Sequence, residues 1–255
     1  MHKITVKSVM KNAIFSVALG IIITPANDVL AQNILAPFSK ASTSKVPEPW
    51  RVVGIPKGKV PLAQFDIVAL DGGKVLRLKT EKSYGNLVHD ILKLTSSNGG
   101  ILKWRWRLDE PVANANLRVK AGDDAALKVC LMFDMPTEGL PFADRALLGL
   151  ARSISGERLP AATLCYVWDI NLPAGTLIDN AYTKRVKFWV LDGKGSETEL
   201  STWKSHERNI AQDFIKAFGA ESKVVPAIEA IVVGADSDNT GGSSLAFVGD
   251  ISWNP

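Results

Sequence analysis

The chain has 255 residues, 46% of them hydrophobic and 22% charged, and its formal net charge is +4. Lys3, Lys7 and Lys11 supply much of that charge, so the remainder forms no basic stripe of the kind nucleic-acid binding requires, and that class is excluded. The chain beyond the N-terminal segment is long enough for one hydrophobic core, and large all-β domains of this size often stay undivided.

In chain order, the three lysines precede an uncharged stretch, Ala13 to Thr24 (AIFSVALGIIIT), and Val29-Leu30-Ala31 then ends in a small residue. A basic start, an apolar centre and a small-residue cleavage site describe a secretory signal peptide. The apolar run is about a dozen residues, short of the roughly 20 that a spanning helix needs, so residues 1–31 read as a cleaved leader. An uncleaved anchor or a buried helix is the alternative. No Cys follows the run, which argues against lipoprotein processing. Cleavage near Ala31 removes three Lys and Asp28 and leaves a net charge of +2. The product is expected in the periplasm or outside the cell, with no stable membrane anchor.

Residues 32–48, rich in Ser, Thr, Pro and Lys, read as a mobile lead-in. From Pro49 to the end, short alternating runs predict one β-sandwich domain. The predicted strands are Trp50–Val53, Phe65–Leu70, Val75–Thr80, Leu87–Leu94, Ile101–Leu108, Ala126–Phe133, Thr163–Asp169, Val186–Leu191, Leu200–Trp203, Ile228–Ala235 and Ser244–Trp253. Gly-rich turns such as Asp71-Gly72-Gly73 and Asn98-Gly99-Gly100 separate them. Many short strands and few helices argue for an all-β, two-sheet sandwich of jelly-roll type. Two helices interrupt it. Pro141 to Ser155 places Phe142, Ala146, Leu147, Leu150 and Ile154 on one face, with Gly156 just past its end, and Asn209 to Gly219 carries a stripe of Ile210, Phe214, Ala217 and Phe218 behind an Asn209 cap. Both are expected to pack over sheet edges or the open ends of the sandwich.

Cys130 and Cys165 lie in two of these runs. An exported protein permits a disulfide between neighbouring strands, but two buried thiols are equally ordinary, and neither Cys has the second ligand a zinc site needs.

The segments LKWRWRLDEPV, KAGDDAALKVCLMFD, ATLCYVWDINLPAGT, DNAYTKRVKFWVL, ERNIAQDFIKAFG and GADSDNTGGSSLAFVGDISW, in that order, resemble a bacterial domain-of-unknown-function family numbered 3047. The resemblance runs from Trp50 to Trp253 and implies an exported bacterial protein with no established activity. The closing DxDNTGGxSLAFVGDI also looks like the last hairpin of jelly-roll carbohydrate-binding modules. The family loop carries an Asp where this chain has Lys184, so no role passes to that residue.

Side chains alternate along a strand, so Trp104 and Trp106 share one face of Ile101–Leu108 and Arg105 and Arg107 the other. Tyr166 and Trp168 share a face of a later strand, as do Arg185, Lys187 and Trp189 of another. Were these faces to coincide, Arg105, Arg107, Tyr166, Trp168, Arg185 and Trp189 would form a surface suited to a glycan or an anionic small molecule. The alternative is indoles in the core and cations paired with acids. Asp123 and Asp124 are read as polar organisers of this surface, one of them a calcium ligand or a pocket carboxylate, or as a solvated turn. Asp236, Asp238 and Asp250 are candidate ligands of a structural calcium, since Asp236-Ser237-Asp238-Asn239-Thr240-Gly241 spaces oxygens alternately before a Gly; an Asx turn is the alternative. No other cofactor is expected. Tyr182 either lines a pocket or packs on the end of the sandwich.

The leading expectation is a non-catalytic binding module. The second is a hydrolase or lyase acting on polysaccharide through two carboxylates drawn from Asp109, Asp123, Asp124, Asp169 and Asp236. No Gly-x-Ser-x-Gly elbow or phosphate-binding Gly loop occurs, and His89 and His206 have no partner at ligand spacing. The oligomeric state is left open.

Overall fold

The computed structural model describes residues 1, 33–35, 37–94, 99–155, 157–195 and 199–254. The expected leader, residues 1–31, lies outside the described residues except for Met1, and so does the expected helix stop at residue 156. Ala31–Pro255 forms one packing unit, which contains every strand and helix of the sandwich.

Its first strands are β1 (Asn33–Ile34), β2 (Arg51–Val53), β3 (Gln64–Leu70), β4 (Gly73–Glu81), β5 (Tyr84–Leu94), β6 (Ile101–Glu110) and β7 (Lys128–Phe133). Helix α1 (Phe142–Ser155) precedes β8 (Ala162–Trp168), β9 (Leu177–Asp179), β10 (Val186–Asp192) and β11 (Lys204–Asn209). Helix α2 (Ile210–Phe218) then leads to β12 (Ile228–Asp236), β13 (Ser243–Val248) and β14 (Ser252–Asn254). Strands β1, β14, β6, β13, β4 and β3 form one sheet, with β11 on the free side of β6; β2, β5, β12, β7, β8, β10 and β9 form the other. From β4 to β7, and again from β10 to β13, successive strands alternate between the sheets, the wrapping of a jelly-roll sandwich. One pairing, β8 with β10, is parallel.

The core lies between the sheets. Leu76 and Leu78 of β4, Trp104 and Trp106 of β6, and Ala246 and Val248 of β13 meet Leu131, Tyr166, Trp168, Ile231 and Val233 of the other sheet. The outer face of the second sheet is also covered: Val88, Cys130, Cys165, Val167, Phe188, Val190 and Val232 pack under Leu117, Ala125 and Leu172 of two long loops. Cys130 and Cys165 are opposite each other in the β7–β8 register and form a disulfide.

Described parts of the lead-in are docked: β1 pairs with β14, and Phe38 is fully buried against Trp50. Leu200–Trp203 is a turn, and the strand at this place is the polar run after it, β11. Ser244–Trp253 is two strands, broken at Gly249–Ile251. Helix α2 has its expected cap, Asn209 accepting from the Gln212 N–H at 3.0 Å, and buries Ile210, Phe214 and Phe218. Helix α1 is turned the other way. Phe142, Leu147, Leu150 and Ile154 are 78%, 54%, 58% and 58% exposed, and only Leu148 is buried. Its inner side is anchored by polar groups, Asp144 to Arg185 at 3.5 Å and Arg152 to the Leu159 carbonyl at 2.7 Å. No described helix is long and apolar enough to cross a membrane.

Candidate functional site

Strand β6 sets the geometry. Its even-numbered side chains, Leu102, Trp104, Trp106 and Leu108, are buried between the sheets, so Lys103, Arg105 and Arg107 face outward. Strand β11, in register opposite, adds Ser205 beside Arg105 and Glu207 beside Lys103 on the same outer face.

Arg105 is exposed and forms no ion pair with any described residue. Its stem lies across Gly249, where a Cβ would stand 2.7 Å from the Arg105 Cγ, and its guanidinium sits 4.5 Å from the ring centre of Trp203. The small residue and the indole hold the cation over the sheet without neutralising it. A groove of about 560 Å³ opens there, with Lys74, Lys103 and Arg105 as its cations. Ser39, Ser205 and Ser252 contribute to its wall, and Trp104 and His206 to its floor. Two acids share the wall: Glu207 is bound to Lys103 at 2.9 Å, and Asp250 accepts from the Ser39 N–H at 2.9 Å and its hydroxyl at 2.5 Å.

The other expected members of the surface are placed elsewhere. Arg107 is on the same face but neutralised, with bonds to Asp109 at 2.6 and 3.0 Å and to Asp71 at 3.0 Å. Tyr166 and Trp168 are in the core: Tyr166 stacks on Trp104 with centroids 5.3 Å apart, and Trp168 meets Trp106 at 6.2 Å. The Tyr166 hydroxyl donates to Asp213 at 2.7 Å, and burial raises its pKa well above the usual phenol value. Trp189 is buried and carries the Arg208 guanidinium at 4.6 Å and the Lys216 ammonium at 4.3 Å. Arg185 is also buried, bound to Glu221 at 2.5 and 3.1 Å. The expected common face is corrected accordingly: Tyr166, Trp168 and Trp189 of the second sheet turn inward, and loops cover its other side.

Asp123 and Asp124 are buried rather than solvated and lie apart from Arg105. Asp124 is joined by Asp236 and Asp238, with one carboxylate oxygen from each lying within 4.8 Å of the others. Asp250 is not among them: the six residues of β13 put it about 20 Å of strand beyond that turn. Of the acids expected as calcium ligands, Asp124, Asp236 and Asp238 are thus brought together and Asp250 is not. As to paired carboxylates for hydrolysis, none of Asp109, Asp123, Asp124, Asp169 and Asp236 lines the groove. Asp169 closes a turn, accepting from the Asn171 and Leu172 N–H groups.

Residues that apolar alternation does not single out hold the site together. Asp192 accepts from Trp106 Nε1 at 2.6 Å and bonds His206 Nε2 at 2.8 Å, fixing the groove floor. Arg208 makes a bidentate pair with Asp213 at 2.7 Å. His206 and Arg208 alternate in KSHERN, a period-two pattern visible only if polar side chains are allowed to point inward.

The chain is thus an all-β two-sheet sandwich with a polar, cation-bearing groove on one sheet. It belongs to the family described as protein of unknown function (DUF3047), whose model matches residues 48–252. No curated protein matches it. Among solved structures it is similar to a family 11 carbohydrate-binding module of the cellulosomal cellulase Lic26A-Cel5E of Clostridium thermocellum (TM-score 0.42, 8% identity, 88% of this chain and 94% of that one). It is similar also to endoglucanase 3 of family GH12 from Trichoderma harzianum (TM-score 0.39, 9% identity, 82% and 99%). The xyloglucanase domain of NopAA from Sinorhizobium fredii, in complex with cellobiose, is a third (TM-score 0.40, 10% identity, 80% and 92%).

Proposed function

We propose that this protein is an exported, non-catalytic binding module for a carbohydrate or another polar, anionic component of the cell envelope, and that Arg105 anchors the ligand. The observation that carries this reading is an exposed guanidinium, stacked on Trp203 and without an acidic partner among the described residues, at the edge of a groove holding two more cations. A guanidinium offers a planar fork of N–H donors that matches a carboxylate or sulfate, and serine hydroxyls can bond sugar hydroxyls. Export is supported by the order basic, apolar, small along residues 3–31.

The test is retention on a panel of immobilised neutral and anionic polysaccharides, wild type against Arg105→Ala. A charge-assisted contact is worth about 1.5–3 kcal/mol, so the variant should bind roughly 10- to 100-fold more weakly while melting as the wild type does. Equal affinity in the two proteins, or no retention of the wild type on any member of the panel, would overturn the proposal. A cleaving activity would show as reducing-end release, and the two carboxylates in this groove, Glu207 and Asp250, are the ones such a reaction would have to use.

A further inference from the structure

Away from the groove, two chain segments bring three acids together. Asp124 lies in the loop before β7, Asp236 ends β12 and Asp238 sits in the turn to β13. Their carboxylates converge, with one oxygen of each within 4.8 Å of the other two. Two of the three are already held by the protein. Asp124 accepts from the Asn239 and Thr240 N–H groups at 3.1 and 2.7 Å and from the Thr240 hydroxyl at 2.6 Å. Asp236 accepts from the Ala125 N–H at 2.8 Å and from the buried Lys128 ammonium at 3.1 Å.

Two oxygens are left over. The Oδ1 atoms of Asp238 and Asp123 are buried and have no hydrogen-bond donor among the described residues. Asp123 is only 8% exposed, its Oδ2 takes the Asn180 amide at 2.6 Å, and the charges of Asp236 and Asp124 act on it directly. Four carboxylates therefore share one ammonium. Three of them, Asp123, Asp124 and Asp236, are buried, and buried carboxylates are costly unless paired or bound to a metal, while Lys128 offsets only one.

We infer that this constellation is a calcium site, with Asp124, Asp236 and Asp238 as carboxylate ligands. The donor set is oxygen alone, with no His or Cys in it, which suits a hard divalent cation. Oxygens drawn from two separate segments suit Ca²⁺, which accepts six to eight ligands in irregular geometry, better than Mg²⁺, which demands an octahedron. The ion would clamp the loop before β7 to the β12–β13 turn. Tyr182 already spans these two segments, its hydroxyl donating to the Lys120 carbonyl at 3.2 Å and accepting from Asn239 at 2.9 Å. The rival compensator is a proton: burial, with the nearby carboxylates, lifts the Asp123 pKa to about 6. The site stands independently of the Arg105 groove.

The test uses the full chain stripped with EDTA and desalted, at neutral pH, with CaCl2 or MgCl2 added back during thermal unfolding and in calorimetric titration. Calcium at a hundredfold excess over its Kd should raise Tm by about 5–10 °C, and magnesium by less. Asp238→Asn, at the most exposed of these acids, should keep the metal-free Tm and lose at least tenfold in calcium affinity; Asp124→Asn replaces it should it fail to fold. No heat and no Tm shift with calcium up to about 10 mM, well above the range of weak extracellular sites, would overturn the inference and leave the proton and Lys128 as the only compensators. Undiminished affinity in the folded variant would overturn it too, by placing the ion elsewhere.

Discussion

Two arginines two residues apart on one strand end up with opposite chemistry. Arg105 and Arg107 both point outward, as alternation requires, but Asp109 comes next on the same face and Asp71 reaches in from the β3–β4 turn, so Arg107 is spent on a local ion pair. The i to i+2 acid was legible in sequence; the turn contact was not, because it depends on how β3 and β4 lie beside β13. Buried acids pose a sharper test. Asp213 receives Arg208 and the Tyr166 hydroxyl together, so Asp213→Ala leaves a guanidinium and a phenol without their acceptor and should cost about 3 kcal/mol in urea unfolding; a loss below about 1 kcal/mol would show that water replaces the carboxylate. Asp123 makes a prediction in pH. Its folded pKa is raised from 3.8 to about 6, so the folded state holds the proton more tightly than the unfolded one. Its contribution is full below the ordinary carboxyl value and is lost as pH climbs through about 6. In metal-free protein the urea midpoint should fall across that window by more in wild type than in Asp123→Asn; parallel profiles would contradict the raised value.

At the level of elements, strands with an apolar alternation were legible to within a few residues, and the failures share one cause. Period-two reasoning assumes that what points inward is greasy. β11 sends His206 and Arg208 inward, satisfied by Asp192 and Asp213, and so gives no apolar signal to compete with Leu200–Trp203. The strands of the second sheet fail in the opposite sense. With loops covering the outer face, Cys165 and Val167 are as buried as Tyr166 and Trp168, and alternation there carries no information about which side meets solvent. Helix α1 breaks the rule once more, presenting its apolar stripe outward and holding on by Asp144, Arg152 and Leu148. Leu150→Ser should therefore change stability by no more than about 0.5 kcal/mol, whereas Asn209→Ala at the α2 cap should cost about 1 kcal/mol, both read from chemical denaturation. A large loss in the Leu150 variant would mean that the stripe is covered in solution.

For the whole molecule, the class of fold was legible from short strands, Gly turns and few helices, while the assignment of strands to sheets was not. Whether Cys130 meets Cys165 hung on that assignment, since only adjacency of β7 and β8 in register brings the two residues together. The bond closes a loop spanning a sequence separation of 35 residues. Opening a loop of that size should lower stability by about 3–4 kcal/mol, to be measured with and without a thiol reductant; an unchanged denaturation midpoint after verified reduction would show that packing alone holds β7 to β8. The order of strands in the first sheet has a consequence for biosynthesis. Strand β13, residues Ser243–Val248, is the middle rail of that sheet, bonded on one side to β4 and on the other to β6. A nascent polypeptide halted before residue 243 would own both neighbours and nothing to join them: β3 can pair with β4 and β6 with β11, but the sheet cannot close. It waits for nearly all of the chain to emerge.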